Sequence, residues 1–258
     1  MSTLIASNLQ ASGGGGTAAL LASVNGGPLA GMRNLLINGN PIINQRGYVS
    51  GTATGGANQY TLDRWRVVTS GQSVTFTDSA NVRTVTAPAG GIEQVIEGLN
   101  ILSGTHVLNW TGTATATVDG ASVAKGGTVT LTGGTNCTVR FSGGTFSLPQ
   151  LEPGTVATPF ERRSYGQELA LCQRYYYRRP GSQTASYISG YYTGWRILVG
   201  TFPVTMRATP TMTCSVTFDG SGTFSSITGT VDGYTAESTQ SSVSSYMTIT
   251  NVTASIEL

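Results

Sequence analysis

The sequence predicts a mainly β protein: an extended N-terminal arm, a sandwich or jelly roll, one short helix and a second β module. Three observations carry that reading. Charged residues are only 10 % of the 258-residue chain, against roughly 25 % in ordinary soluble domains. Gly, Thr and Ser fill the polar positions instead; Thr suits a pleated, half-exposed surface and Gly supplies the positive φ of tight turns. Short apolar–polar alternations, separated by Gly-rich turn signals, recur along the chain.

Residues 1–32 hold the Gly13 to Gly16 run, a short apolar patch at Ala18 to Val24 and a Gly pair before Pro28. The segment has too little apolar content for a core. It reads either as an extended arm that orders by adding to or threading through a neighbour, or as a disordered tail. From Asn34 to about Phe160, β-favouring runs follow one another: Leu35 to Ile37, Thr61 to Val68, Ser73 to Thr77, Gly91 to Ile96, His106 to Trp110, Thr113 to Val118, Thr128 to Thr132 and Asn136 to Phe141. Asp119-Gly120, Gly133-Gly134 and Gly143-Gly144 mark turns between several of them. Strands at this spacing suggest a sandwich or jelly roll.

Around Ser164 the pattern becomes helical. Ser164 is placed to cap, Gln167 stands three residues on, and Leu169, Cys172 and Tyr176 recur at helical spacing, which predicts one helix of about four turns. Arg174, Arg178 and Arg179 then fall near its C-terminal end, where the macrodipole favours cations, and Pro180-Gly181 stops it; a receptor-binding basic patch is the other reading of these arginines. Strand texture returns at Ser186 to Tyr192, Trp195 to Phe202, Thr211 to Phe218, Gly222 to Val231 and Ser245 to Glu257. The loop from Phe202 to Pro210 is expected to cross between strands. No repeat of 20 to 50 residues appears, which argues against a β-helix or propeller.

A net charge of +2 without a dense Lys/Arg stripe argues against a nucleic-acid partner. Cys137, Cys172 and Cys214 are odd in number and far apart, so they read as small buried thiols of a chain made in a reducing compartment, not as a disulfide or zinc framework. Neither a signal peptide nor an apolar stretch of about 18 residues is present, so membrane insertion is not expected. The N-x-T triplets at Asn109, Asn136 and Asn251 then carry no meaning as glycosylation sites.

Asn34-Leu-Leu-Ile-Asn-Gly-Asn40, Gln45-Arg-Gly47 and Tyr60-Thr-Leu-Asp-Arg-Trp65 resemble the opening of a module common in structural proteins of tailed bacteriophages. Leu148-Pro-Gln-Leu-Glu-Pro-Gly154, Ala157-Thr-Pro-Phe-Glu-Arg-Arg163 and the run from Tyr165 to Tyr177 resemble its exit into a helix. The likeness covers residues 34 to about 177 in order. It implies a tail-fibre or head-fibre protein with a carbohydrate-binding-module-like jelly roll over 33–163 and a helix plus C-terminal β-sandwich over 164–258. It further implies a virion location after synthesis in the bacterial cytoplasm, a homotrimer, contact with other virion proteins through residues 1–32, and attachment to a host surface glycan. Coiled-coil heptads and a triple-helical shaft are lacking, which favours a short fibre or a bound adaptor over a long fibre. A decoration or adaptor without receptor contact, and a polysaccharide depolymerase, are the rival readings.

The same motifs have a physical reading of their own. Strand alternation would put Thr61, Asp63 and Trp65 on one face and Tyr60, Leu62 and Arg64 on the other. With Trp65 in the core, Asp63 must lie near a strand end or accept backbone hydrogen bonds, because an unpaired buried carboxylate is too costly. Phe160 is expected to close the sandwich at its edge.

Nothing in the sequence gathers into a catalytic centre, so no catalytic residue, cofactor or metal site is expected and the protein is read as a non-enzyme. His106 has no acidic or cysteine partner near it in sequence and reads as structural. Asp78, Asp119, Asp219 and Asp232 sit beside turn-like residues. Glu93 and Glu97, four residues apart on one strand, would be separated by roughly 13 Å. Sugar binding asks for aromatic faces flanked by hydroxyls and amides; Tyr187, Tyr191, Tyr192 and Trp195 offer that mixture, with an intersubunit core as the other reading of them. Tyr175, Tyr176 and Tyr177 form a second cluster read mainly as helix packing.

Overall fold

The computed structural model describes residues 31–185, 194–219, 222–240 and 246–258. Of the arm, only Gly31 and Met32 are among them. The chain is mainly β, with one α-helix among the described residues.

The first unit contains β1 (Gln59–Tyr60), β2 (Arg66–Val67), β3 (Thr75–Ser79), β4 (Val82–Thr86), β5 (Ile92–Ile96), β6 (Gly104–Gly112), β7 (Thr115–Val118), β8 (Ala121–Val123), β9 (Gly127–Leu131), β10 (Cys137–Ser142) and β11 (Thr145–Pro153). They form two antiparallel sheets, in the orders β1-β2-β5-β10-β7-β8 and β3-β4-β11-β6-β9. From β4 onward the chain changes sheet at every step except β7 to β8. The inner orders β4-β11-β6-β9 and β5-β10-β7-β8 are those of an eight-stranded jelly roll. Asp119 and Gly120 both have positive φ (49° and 82°), so the β7–β8 hairpin turns with the type I′ geometry that matches strand twist.

Alternation decides what is buried. In β10, Cys137, Val139 and Phe141 point inward while their neighbours are half-exposed. Phe141 stacks on Phe146 with centroids 4.4 Å apart, and Trp65 packs obliquely on both rings at 6.1 and 5.5 Å. The Trp65 indole donates to the Asn38 carbonyl at 3.0 Å, so its polar edge is satisfied inside the core.

Three expectations for this unit need correction. Leu35–Ile37 is not a strand, because Gln94 takes the place of a neighbouring backbone. Its amide accepts from Ile37 N at 2.7 Å and donates to Ile37 O at 2.7 Å. Thr61–Val68 is not one continuous strand either. Thr61 N bonds Trp65 O and Trp65 N bonds Leu62 O, both at 2.9 Å, which makes 61–65 a turn between β1 and β2; Leu62 and Trp65 consequently share the core instead of opposite faces. Phe160 does not close the core but lines a surface cleft. Strands β4, β8 and β11 were not expected. In β11, Pro149 and Pro153 disguise the strand, and the register shift between Ser147 and Gln150, with Leu148 at φ 51°, is the bulge that accommodates them.

The second unit contains α1 (Tyr165–Gln173), β12 (Tyr176–Arg178), β13 (Gln183–Ala185), β14 (Gly194–Thr201), β15 (Thr211–Asp219), β16 (Gly222–Gly229), β17 (Gly233–Gln240) and β18 (Tyr246–Ser255). β18 is central, with β15 along one edge and β12 and β13 pairing successive parts of the other. The facing sheet runs β14-β17-β16. Between them lie Leu198, Phe202, Tyr234, Met247, Ile249 and Val252. Asn251, at φ 50°, inserts one residue into β18, so Met247 and Ile249 before it and Val252 and Ala254 after it all face inward despite their change of parity. The loop from Phe202 to Pro210 crosses from one sheet to the other, as expected.

Ser164 caps α1, accepting from Gln167 N at 3.3 Å. The helix is nine residues long, shorter than the expected four turns. Tyr176–Arg178 leaves it to pair with Thr253–Ser255, so Arg178 lies on a strand and Pro180-Gly181 is not the helix stop.

Phe141→Ala should lower stability by about 3–5 kcal/mol, the usual cost of emptying a large aromatic site. Denaturant unfolding followed by tryptophan fluorescence measures this, and a loss below about 1 kcal/mol would contradict the packing described.

Candidate functional site

Tyr187, Tyr191 and Tyr192 lie outside the described residues, as does the side chain of Trp195. Tyr175, Tyr176 and Tyr177 are all buried. Tyr175 and Tyr176 belong to a joint between the two units, while Tyr177 packs on Phe202 in the core of the second unit; all three pack, as expected of that cluster.

The joint is built around the turn 61–65. Arg64 takes φ 70°, an uncommon conformation for a residue with a side chain, and is 1 % exposed. Its guanidinium lies 3.6 Å from the Tyr175 ring centroid, donates to the Val95 carbonyl at 2.6 Å and pairs with Glu257. Arg46 binds the same carboxylate at 2.8 Å and stacks over Tyr176 at 3.6 Å. Tyr60 Oη and Arg66 Nη1 both donate to the Leu258 carbonyl, at 2.6 and 2.8 Å. Burial, reinforced by Glu257, raises the Tyr60 phenol above its ordinary value, so it stays a donor.

Asp63 accepts from Gln45 N at 2.9 Å and Gln45 Nε2 at 2.5 Å, as the sequence required of a carboxylate beside a core Trp. Burial raises its pKa against the opposing effect of those bonds. Glu97 goes the other way. Burial pushes its pKa up, but the hydrogen bond from Tyr175 at 2.9 Å and the charges of Arg174 and Arg207 outweigh it, leaving the carboxyl below its usual value. Glu93 is held between Arg66 and Arg140, at 2.7 Å from each. Glu93 and Glu97 therefore serve separate ion-pair clusters and do not act as a pair.

The remaining titratable groups are held structurally. His106 is buried, with Nδ1 3.0 Å from the Gly104 carbonyl and Nε2 without a partner. Asp119 receives Thr138 N at 2.7 Å and Asp232 receives Thr205 Oγ1 at 2.7 Å; Asp78 pairs with Arg83 across β3 and β4. The side chain of Asp219 lies outside the described residues. Burial, aided by Asp119, pushes the Cys137 thiol up to about 12. Among the described residues, no three His, Cys, Asp or Glu side chains gather closely enough to hold a metal ion. No helix there is long and apolar enough to cross a membrane.

One surface cleft has side chains free to meet a ligand. It runs from the N-terminal end of α1, past Ile42, to the β3–β4 hairpin, as two cavities of about 290 and 270 Å³ that share Ile42 and Asn81. Its floor is rigid: Asn40 donates to Asn81 O at 2.8 Å and accepts from Arg83 N at 2.9 Å, while Arg83 grips Asp78 and the Pro41 carbonyl. Neither Asn81 nor Tyr165 stands out in the sequence as a ligand-binding residue, and β4 was not expected, so the cleft was missed.

No known protein family matches the chain, and no curated protein matches it.

Two predictions follow from the joint. Glu257→Ala leaves Arg64 buried without its counter-ion and should cost about 3–5 kcal/mol; in calorimetry the two units should then melt separately, and an unchanged single transition would refute the coupling. Glu97 has a lowered folded pKa, so its stabilisation is present above the ordinary carboxylate pKa and lost as pH falls through the folded value. Glu97→Gln should therefore be less stable than wild type by about 1–2 kcal/mol at pH 7, with the gap closing in acid. Denaturant titrations at pH 7 and at acid pH measure that gap.

Proposed function

We propose that this chain is a virion structural protein of a tailed bacteriophage: a short fibre or fibre-like appendage, homotrimeric, tethered by residues 1–32, that serves assembly and attachment to a host surface glycan. The observation that carries the reading is the convergence of the phage-like motifs. Asn38 from the first, Gln45 and Arg46 from the second, Asp63 and Arg64 from the third, and Tyr175 and Tyr176 from the last meet in the joint or beside it. The resemblance thus rests on residues that fix the geometry of a rigid β scaffold, and not on a reactive centre. A trimer is supported by Ile197 and Val199, both exposed on β14, which lies at the edge of its three-stranded sheet among the described residues; copies packing there would bury apolar surface and cover an edge that no other described strand pairs. The aromatic residues Tyr187, Tyr191, Tyr192 and Trp195 remain the proposed outer recognition surface, because the far end of an arm-tethered chain faces the host.

Antibody labelling in electron micrographs of the particle should place the chain on an appendage, its mass in solution should equal three chains, and Trp195→Ala should weaken binding to host cells while leaving the trimer intact. Absence from purified particles would refute the reading. A label on the particle without any cell binding by the wild-type chain would instead make it a decoration or adaptor.

A further inference from the structure

We infer that the cleft between α1 and the β3–β4 hairpin is a binding site for a neutral saccharide, in addition to any surface near Trp195; the inference deepens the attachment reading and rests on it for the purpose that binding serves. The first argument is shape. Two contiguous cavities of about 290 and 270 Å³ reach only the lower end of the size range of small-molecule sites, which suits one or two sugar rings in each.

The second argument is charge. Asp78, Glu161 and Glu168 line the cleft together with Arg83, Arg162 and Arg163, three acids against three bases. Most of them are already committed: Arg83 to Asp78, and Arg163 to Glu161 and Glu168. A balanced, internally paired wall offers an ionic ligand no counter-charge beyond Arg162, whereas a ligand of hydroxyl groups meets fixed donors and acceptors.

The third argument is the arrangement of the uncommitted groups. Tyr165 is 61 % exposed and stands on the first turn of the helix, with half-buried Phe160 and exposed Ile42 beside it on the same wall. The Asn81 amide, Tyr165 hydroxyl and Arg162 guanidinium form no hydrogen bond with another described residue, while the backbone beneath them is locked by Asn40 and Arg83. An exposed ring stacks on the C–H face of a sugar, and polar groups held at its edges bind the hydroxyls. Such a site binds weakly alone, and three copies in a trimer raise its effective affinity without new contacts.

Asn81 has φ 62° and Ala80 φ 49°, so Asn81→Gly keeps the hairpin turn while deleting the amide. Tyr165→Ala removes the ring at an exposed position that alanine's helix propensity favours. Wild type and both variants would be applied to an array carrying neutral and acidic oligosaccharides, with circular dichroism and solution mass checking that each variant is folded and assembled. The expected result is binding to one or more neutral oligosaccharides, weakened by about tenfold or more in Tyr165→Ala and measurably in Asn81→Gly. No binding, binding confined to acidic glycans, or binding unchanged in both variants would overturn the assignment. Host-cell binding by the same proteins separates the two proposals. Cell binding without saccharide binding refutes the cleft and leaves attachment standing. Saccharide binding lost in Tyr165→Ala without any cell binding by wild type upholds the cleft and refutes attachment.

Discussion

The arrangement of the two units depends on one buried guanidinium. Arg64 sits in a left-handed backbone conformation, with its charge clamped by Glu257, the Val95 carbonyl and the face of Tyr175. Backbone strain of this kind, of order 1–3 kcal/mol, persists only where the surroundings over-determine it. Here the turn that strains Arg64 also sends Leu62 and Trp65 into the jelly-roll core, so core and joint cannot be changed independently. A buried ion pair often contributes little net stability, because desolvation consumes much of the attraction. Its value in this molecule is positional: a guanidinium and a carboxylate with further fixed partners define a single docking register.

Arginine is the cation suited to that work. Lys125 is the only lysine in the chain, and the joint uses the planar, weakly hydrated guanidiniums of Arg46 and Arg64 over tyrosine rings. The low charge content read from the sequence therefore has a structural counterpart. Glu93, Glu97, Glu152 and Glu257 are all buried or nearly so and all paired with arginine, so much of the charge links segments together, while Thr and Ser keep the strand surfaces wet.

Wherever local pattern was the controlling force, the sequence was readable. The alternation of Thr115–Val118 and Cys137–Ser142, the Asp119-Gly120 turn and the Ser164 cap all act over a few residues, and all stand in the structure. Failures came where distant partners override local preference. Tyr60 to Trp65 alternates like a strand, yet it turns because the core takes Leu62 and Trp65 together and Glu257, 193 residues away, holds Arg64. Leu35–Ile37 looks like a strand but finds its partner in one glutamine side chain. The helix stops early because β18 offers Tyr176 a ladder. The cleft was illegible for the same reason, since Asn81 and Tyr165 share no sequence pattern and meet only through Asn40 and Ile42.

β18 lies at the centre of its sheet, and the residues that follow it lock the joint through Glu257 and Leu258. A ribosome makes these residues long after the jelly roll has emerged, at rates of about 5–20 residues per second. The first unit can therefore condense while its outer arginines still lack their carboxylate, and β15 waits beside an empty central position. Filling that position completes the second sheet and supplies Glu257 and Leu258 to the joint. The order of synthesis thus places the joint last: until residues 246–258 have been made, the second sheet lacks its central strand and Arg64 lacks its carboxylate.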